Sequence, residues 1–322
     1  MKNVFVTGAY GLLGAWMVSA LLDEGADVTV LKRDDNPRAA LSLLGLERRV
    51  NVVRGDLRDF TLMQRALGEY EIDTVFHLAA QTIVGTANKS PVPTFEANIR
   101  GTWTLLEACR LHGDPSVVVA ASDKAYGSHD ELPYREEFAL QPKFPYDVSK
   151  ACTDLIARSY FHTYGLPVAV TRLANIYGGG DTNRSRLVPE AVAAALAGRA
   201  PIIRSDGSPE RDFLYVEDAA SAYLTLVRAL EGDNGVRGEA FNAGGERPHA
   251  VREVVDLICK VAGSDLEPDI RGTGTPKGEI DRQYVDSTKL RTLTGWRPAV
   301  ELEEGLRRTV DWYRAHPEAL AS

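Results

Sequence analysis

The stretch "VFVTGAYGLLGAWMVSALL", Val4 to Leu22, joins an apolar run to an apolar helical segment through a turn carrying Gly8, Gly11 and Gly14. Glycines at such a junction let the backbone turn tightly and come close to a pyrophosphate, which then rests on the N–H groups at the start of the helix. A glycine-rich turn by itself could be only a capping loop. What decides the reading is that the turn opens the first strand–helix unit and that further units follow.

Working outward, apolar runs recur at "NVFVTG", "DVTVL", "VNVVRGD", "TVFHLAA", "SVVVAAS" and "PVAVTRL", separated by stretches with helical spacing such as Leu12 to Leu22 and Ile99 to Cys109. Strand and helix alternating in this way predict an α/β fold, a Rossmann-type doubly wound parallel sheet. After about residue 175 the texture changes to Gly and Pro punctuation, with helical runs at Val188–Ala197 and Val216–Leu230 and in "REVVDLICKVAG" and "LEEGLRRTVDWYRAH". A smaller second lobe is therefore expected. Residues 1–174 with 212–243 are assigned to the dinucleotide-binding domain, and 175–211 with 244–322 to the substrate-binding lobe.

The chain has 322 residues, 44% of them hydrophobic, which is enough for a sizeable core. A net charge of −8 without a Lys/Arg block argues against nucleic acid or an anionic membrane as partner. Cys109, Cys152 and Cys259 are odd in number and widely spaced, so neither a disulfide framework nor a metal site is suggested. The opening "MKNVFVTG" enters a strand directly, and no apolar stretch approaches the ~20 residues of a membrane helix. A cytoplasmic protein is expected.

The chemistry concentrates at strand ends. "SDKAYG", Ser122 to Gly127, sets a hydroxyl, a carboxyl and an amine after the fifth apolar run, where charge would ordinarily disturb packing. Farther on, Tyr146 and Lys150 in "YDVSK" are four apart on a predicted helix and so share a face. A phenol with a pKa near 10 needs positive charge beside it to act as a base at neutral pH, and Lys150 with an oxidised nicotinamide would supply it. Ser122 would hold a substrate hydroxyl against Tyr146. At the end of the second strand, where an acidic residue would hold the ribose of NAD, the chain offers Lys32 and Arg33 ahead of Asp34 and Asp35, a slight lean towards NADP. Asp56 either hydrogen-bonds the adenine or caps the helix starting near Asp59. His77 is expected to pack near the cofactor loop rather than to move protons.

With these residues in order, the chain resembles the extended short-chain dehydrogenase/reductases, the NAD-dependent epimerase/dehydratase family. The resemblance runs through "TGAYGLLG", with its Gly-x-x-Gly-x-x-Gly spacing, "GDL", "FHLAA", Asn98-x-x-Gly101-Thr102, "SDKAYG", "YDVSK", "RLANIYGGGD" and "RDFLYVEDAA". It implies a nucleotide-sugar substrate, NAD as cofactor with NADP not excluded, and a homodimer formed by the helices after Asn98 and around Tyr146. It further implies that Gly8, Tyr10, Gly11, Leu12, Gly14, Lys32, Arg33, Asp56, Leu57, Leu78, Ala79, Ala80, Gln81, Tyr146 and Lys150 bind the cofactor. The substrate would be met by Thr82, Ser122, Asn175, Leu187, Val188, Arg211 and Arg282.

Within the family, 4,6-dehydratases carry Asp followed by Glu or Lys after the catalytic Ser/Thr, and the "SDK" form is most similar to the CDP-glucose 4,6-dehydratases. The implied catalytic set is Ser122, Asp123, Lys124, Tyr146 and Lys150. Tyr146 takes the 4-hydroxyl proton, Lys124 the C5 proton, and Asp123 protonates the departing 6-hydroxyl. Lys124 must be neutral for this, whereas Asp123 favours its charged form. The chain is shorter than typical CDP-glucose dehydratases, which leaves the nucleotide open. A 4-epimerase, or a dehydratase that returns hydride to C4 or acts on a nucleoside, is the alternative.

Overall fold

The computed structural model describes residues 1–232, 235–274 and 280–320. The first half alternates β1 (Asn3–Thr7), α1 (Leu12–Asp23), β2 (Asp27–Lys32), α2 (Ala40–Leu43), β3 (Asn51–Arg54), α3 (Phe60–Glu69), β4 (Thr74–His77), α4 (Val84–Lys89), α5 (Pro91–Phe95), α6 (Gly101–His112), β5 (Ser116–Ala120), α7 (Pro145–Tyr164) and β6 (Val168–Leu173). The second half contains β7 (Asn175–Tyr177), α8 (Leu187–Leu196), β8 (Ile202–Ile203), β9 (Glu210–Tyr215), α9 (Val216–Glu231), β10 (Ala240–Ala243), β11 (Pro248–Ala250), α10 (Val251–Ala262), β12 (Asp269–Ile270), β13 (Arg282–Gln283), α11 (Thr288–Thr294) and α12 (Leu302–Ala315).

Seven parallel strands form the main sheet in the order β10-β6-β5-β4-β1-β2-β3. Central strands such as β4 and β6 are buried throughout, which is why they read as unbroken apolar runs rather than as alternation. One face packs Val4, Val6 and Val30 against Met17 and Leu21 of α1 and Tyr223 and Val227 of α9. The other packs Phe5, Val75 and Val117 against Met63 and Leu67 of α3, Leu105 of α6 and Ala157 of α7. The strand order reverses between β1 and β4, and a crevice opens beyond the carboxyl ends of strands at such a switch point.

The second lobe holds the sheet β11-β9-β13, with β7 pairing β9, above a core of α8, α10 and α12. The boundary expected between 211 and 212 falls inside β9, whose residues on both sides of it pair within this sheet. Hydrogen bonding across the strand ties Glu210–Tyr215 together whatever domain the flanking helices join. The last two residues of the expected lobe, 321 and 322, lie outside the described residues. The helix expected from Ile99 begins at Gly101, after a π turn over Glu96–Arg100 that frees the Asn98 carbonyl for the hydroxyls of Thr102 and Thr153. Among the described residues no helix is long and apolar enough to cross a membrane.

Candidate active site

A cavity of about 1160 Å³ opens at the carboxyl ends of β1, β4, β5 and β6 and extends under α8 and β9. Its floor is the glycine loop. Gly8 adopts φ +76°, and a Cβ there would lie 2.6 Å from the Ala79 nitrogen. A Cβ on Gly14 would lie 2.2 Å from the Gly8 carbonyl oxygen. Gly11 caps α1 with no side chain, so the first N–H groups of the helix are left for a ligand. A dinucleotide pyrophosphate fits this cradle, since the contacts that exclude side chains also expose backbone donors to the cavity. Leu12, Leu57, Leu78, Ala79 and Ala80 line the walls beside it.

The end of β2 divides the two basic residues. Arg33 and Asp34 line the cavity, and Arg33 Nε donates to Asp34 at 2.7 Å. Lys32, expected at the cofactor, is buried on the other side of the strand. Its Nζ meets Glu47 at 2.6 Å and Asp35 at 2.8 Å and lies 5.1 Å from the ring centre of Tyr10. Side chains alternate along a strand, so neighbouring residues cannot both face the ligand. Asp59 caps α3 by accepting from the Leu62 N–H, while Asp56 lines the cavity and takes the Arg58 guanidinium at 2.8 Å. The end of β4 is held by His77, whose ring bridges Thr7 at 2.8 Å and Thr102 at 2.9 Å. Burial, with the Lys150 charge nearby, holds its pKa at about 3, so it is neutral structure rather than a proton carrier.

The reacting side chains come from β5 and α7. Ser122 follows β5 and caps a single 3₁₀ turn, Asp123–Tyr126, by accepting from the Lys124 N–H at 3.2 Å. Its hydroxyl donates to Asp123 Oδ1 at 3.0 Å. Asp123 is 3% exposed, and its Oδ2 has no hydrogen-bond partner. Burial raises its pKa, against the opposing pull of Lys124. Lys124 Nζ donates to Gln283 Oε1 at 3.2 Å. Tyr146 and Lys150 project from one face of α7 into the same cavity. The ammonium of Lys150 donates to the Ala120 carbonyl at 2.7 Å, and burial lowers its pKa to about 8.

The Tyr146 phenol differs from expectation. Burial pushes its pKa up to about 12, and the opposing influences are the Arg186 charge and a hydrogen bond with Ser122. Spacing on a helix brings Tyr146 and Lys150 to one face, but desolvation of the phenolate is the larger effect here.

A family model described as GDP-mannose 4,6 dehydratase matches residues 5–309. The chain belongs to that family. Among its curated relatives, the Arabidopsis thaliana trifunctional UDP-glucose 4,6-dehydratase/UDP-4-keto-6-deoxy-D-glucose 3,5-epimerase/UDP-4-keto-L-rhamnose-reductase is 32% identical over 98% of this chain, which spans about half (48%) of that relative. The dTDP-glucose 4,6-dehydratase of Streptomyces griseus is 33% identical over 98% of this chain and 94% of its own length. Two solved structures superpose closely. The dTDP-glucose 4,6-dehydratase of Bacillus anthracis in complex with NAD gives a TM-score of 0.87 at 29% identity, covering 99% of this chain and 98% of that one. The UDP-glucose 4-epimerase of Thermotoga maritima with UDP-glucose gives 0.88 at 29% identity, covering 98% and 100%.

In this GDP-mannose 4,6 dehydratase family member, Thr82, Asn175, Leu187, Val188 and Arg211 also line the cavity. Arg211 is buried and its guanidinium donates to the Glu210 and Asp281 carbonyls at 2.9 Å. Two expected residues lie elsewhere. Arg282 is half exposed and paired with Glu210 at 2.7 Å, because its strand β13 runs along the outer edge of the small sheet. Gln81 turns its side chain back on its own loop, where Oε1 accepts from the Ile83 N–H, while its N–H donates to Asn98 at 2.7 Å. Sequence reasoning missed two residues that line the cavity. Arg186, just before α8, donates to Asp181 at 2.9 Å and to Thr82 at 3.0 Å, and its charge reaches Tyr146. Asp147, 5% exposed, sits inside the quoted "YDVSK" itself. A carboxyl between the paired Tyr and Lys was a signal within view, although spacing alone does not tell which face of a helix it joins.

Proposed function

We propose that this chain is a nucleotide-hexose 4,6-dehydratase that works with bound NAD. The observation that carries the reading is Asp123, a buried carboxyl with an unbonded oxygen, set beside Lys124 in the cavity that holds Ser122, Tyr146 and Lys150. A 4-epimerase needs only a base for the 4-hydroxyl. A second carboxyl, whose pKa burial raises, has work to do when a hydroxyl must leave as water. The dehydratase names of the relatives agree with this.

NAD rather than NADP is supported by the withdrawal of Lys32 into its pairs with Glu47 and Asp35, by the Arg33–Asp34 contact, and by the NAD held in the Bacillus anthracis structure. The residues that would hold it are the glycine loop, Leu12, Asp56, Leu57, Leu78 to Ala80, Tyr146 and Lys150. When bound, its nicotinamide is the acceptor of hydride from C4 of the sugar and the donor that restores it at C6.

The protein's own part is proton handling and position. Ser122 orients the sugar 4-hydroxyl and Tyr146 takes its proton. Burial, with the Asp123 and Asp147 charges, holds the phenol up at about 12 even against the Arg186 charge and the Ser122 hydrogen bond, so ionisation at neutral pH depends on further positive charge in the loaded site. Oxidation at C4 makes the C5 hydrogen acidic. Asp123 then gives its proton to the 6-hydroxyl, which departs as water. The base that the sequence suggests for C5 is Lys124, whose Nζ donates to Gln283 Oε1 at 3.2 Å. Arg186 and Arg211 suit a diphosphate, since a guanidinium fork donates two parallel hydrogen bonds.

A homodimer through α6 and α7 completes the reading. Trp103 and Leu111 on α6 and Leu155 and Tyr164 on α7 are exposed apolar side chains on adjoining helices. Three free cysteines accord with a reducing cytoplasm.

The test is to incubate the protein and NAD with CDP-, UDP-, GDP- and dTDP-hexoses and to follow mass. Loss of water from one of them, abolished in Asp123→Asn, supports the dehydratase. A C4 epimer of unchanged mass, formed equally by Asp123→Asn, overturns it.

A further inference from the structure

Lys124 reaches the cavity on a flexible four-carbon stem, so its amine needs a partner to fix where it stops. Asp123 and Asp147 both lie within the reach of its charge. Among the described residues the amine hydrogen-bonds neither of them. Nζ donates instead to Oε1 of Gln283 at 3.2 Å, a residue 159 positions further along the chain and 0% exposed. The other end of that amide, Nε2, is buried with no hydrogen-bond partner among the described residues. As a brace for the fold this arrangement is unfavourable: it sets one long hydrogen bond against an unpaired buried donor, where a methionine of similar size would leave no donor unsatisfied.

The strand that carries Gln283 is fastened to the turn that carries Lys124. Side chains alternate along β13, so with Arg282 turned out to Glu210, Gln283 faces inward. Gln283 pairs in register with Arg211 of β9. The residues after it bracket Tyr134, whose N–H donates to the Tyr284 carbonyl and whose carbonyl accepts from the Asp286 N–H, both at 2.9 Å. The Tyr134 hydroxyl then donates at 2.7 Å to the carbonyl of Gly127, which closes the 3₁₀ turn Asp123–Tyr126. An amide held in this way is a fixed point for a mobile amine.

From this geometry we propose that Gln283 is a positioning residue for Lys124: it holds the amine off the neighbouring carboxyls and so keeps it available to the C5 proton of the sugar. The inference rests on the dehydratase reading. In that step Nζ takes the C5 proton, and the C–H electron pair enters the enolate of the C4 ketone. A neutral amide accepts from Lys124 without adding charge, whereas a carboxylate in its place would favour the protonated amine, which cannot take a proton. The other groups facing this point are Asp123 on the same turn and Asp147 on α7, with Arg211 and Asp212 of β9 and the phenols of Tyr134 and Tyr146 facing Asp123 in turn. All of them stay in place when only Gln283 is changed.

The experiment uses the NAD-loaded enzyme with CDP-, UDP-, GDP- and dTDP-hexoses in D₂O, reading reduced nicotinamide by absorbance, water loss by mass, and deuterium at C5 by NMR. In wild type one of them loses water and its product carries deuterium at C5. In Gln283→Met, NAD binding, KM and the formation of reduced nicotinamide stay within a few-fold of wild type, while C5 exchange and water loss fall ~10–10²-fold, the loss expected of a misplaced group. Gln283→Glu keeps the acceptor and adds charge, so it exchanges C5 faster than Gln283→Met at high pH, with the pH profile of exchange moved up by about 1 unit or more from wild type. Three outcomes overturn the assignment. In the first, C5 exchange in Gln283→Met holds within about tenfold of wild type. In the second, NAD binding, oxidation and exchange fall together, as they would for a side chain that only braces the fold. In the third, the pH profile of Gln283→Glu coincides with that of wild type. Failure of the dehydratase reading looks different: wild type itself then forms a C4 epimer, or no product, without losing water or exchanging C5.

Discussion

Replacing Lys150 by Met should make the cofactor-free protein more stable near neutrality while removing its activity. Lys150 is 4% exposed, and burial lowers its pKa from an ordinary 10.5 to about 8. The folded value lies below the unfolded one. The stability linked to this group is therefore fully present above pH 10.5 and is lost as the pH falls through 8, where the buried amine must take a proton. That drop corresponds to about 3 kcal/mol of destabilisation at pH 7. Met cannot titrate, so it escapes this cost, but it leaves the Ala120 carbonyl without its 2.7 Å donor. The lost hydrogen bond subtracts about 1–2 kcal/mol at every pH. The signature is therefore in the slope. The stability of Lys150→Met minus that of wild type should be positive by about 1–2 kcal/mol at pH 7 and should fall by about 2.5 kcal/mol on going to pH 10. Urea unfolding of both proteins at pH 7, 8.5 and 10, with matching m values, measures it. A difference that stays constant across that range, or one that grows with pH, would refute the claim that Lys150 is held against its own charge. Turnover by the variant should drop ~10²–10⁴-fold, since Lys150 shares the cavity with Ser122 and Tyr146 and belongs to the proposed reacting set.

Gly14→Ala should cost about 2 kcal/mol or more and weaken NAD binding at least 100-fold by calorimetry, because its Cβ meets the Gly8 carbonyl oxygen at 2.2 Å and the Ala9 Cα at 2.6 Å, both backbone atoms. Gly68→Ala is the matched control. A Cβ there meets nothing within 4 Å on α3, so the change should be neutral or stabilising by up to about 1 kcal/mol. For the homodimer, Leu155→Arg places a charge on an exposed apolar position of α7 and should give a monomer in sedimentation velocity where wild type sediments as a dimer. An unchanged species in both proteins would remove α7 from the interface.

Much of the fold was legible because the main-sheet strands are buried on both faces and their helices are amphipathic, so periodicity speaks directly. The six predicted strands correspond to β1 to β6, and Val216–Leu230 to α9. Less was legible where a residue's direction depends on something far away in the chain. Lys32 reads as a cofactor ligand until Glu47, from the turn before β3, supplies its counter-charge on the opposite side of β2. Arg282 reads as a phosphate clamp until Glu210 holds it at the sheet edge.

The sequence by itself determined the doubly wound sheet and the glycine turn at its first strand, and it singled out Ser122, Asp123, Lys124, Tyr146 and Lys150 as candidates, since strand ends and local spacing are visible in it and the family resemblance supplies their proposed roles. Only the tertiary structure decided which of them are desolvated and by what they are faced. Burial moved the Tyr146 phenol up and the Lys150 ammonium down, left one oxygen of Asp123 unbonded, and brought Asp147 into the same cavity. Dielectric surroundings and charge contacts arise when distant segments pack together, and proton chemistry depends on them more than on which residues are present.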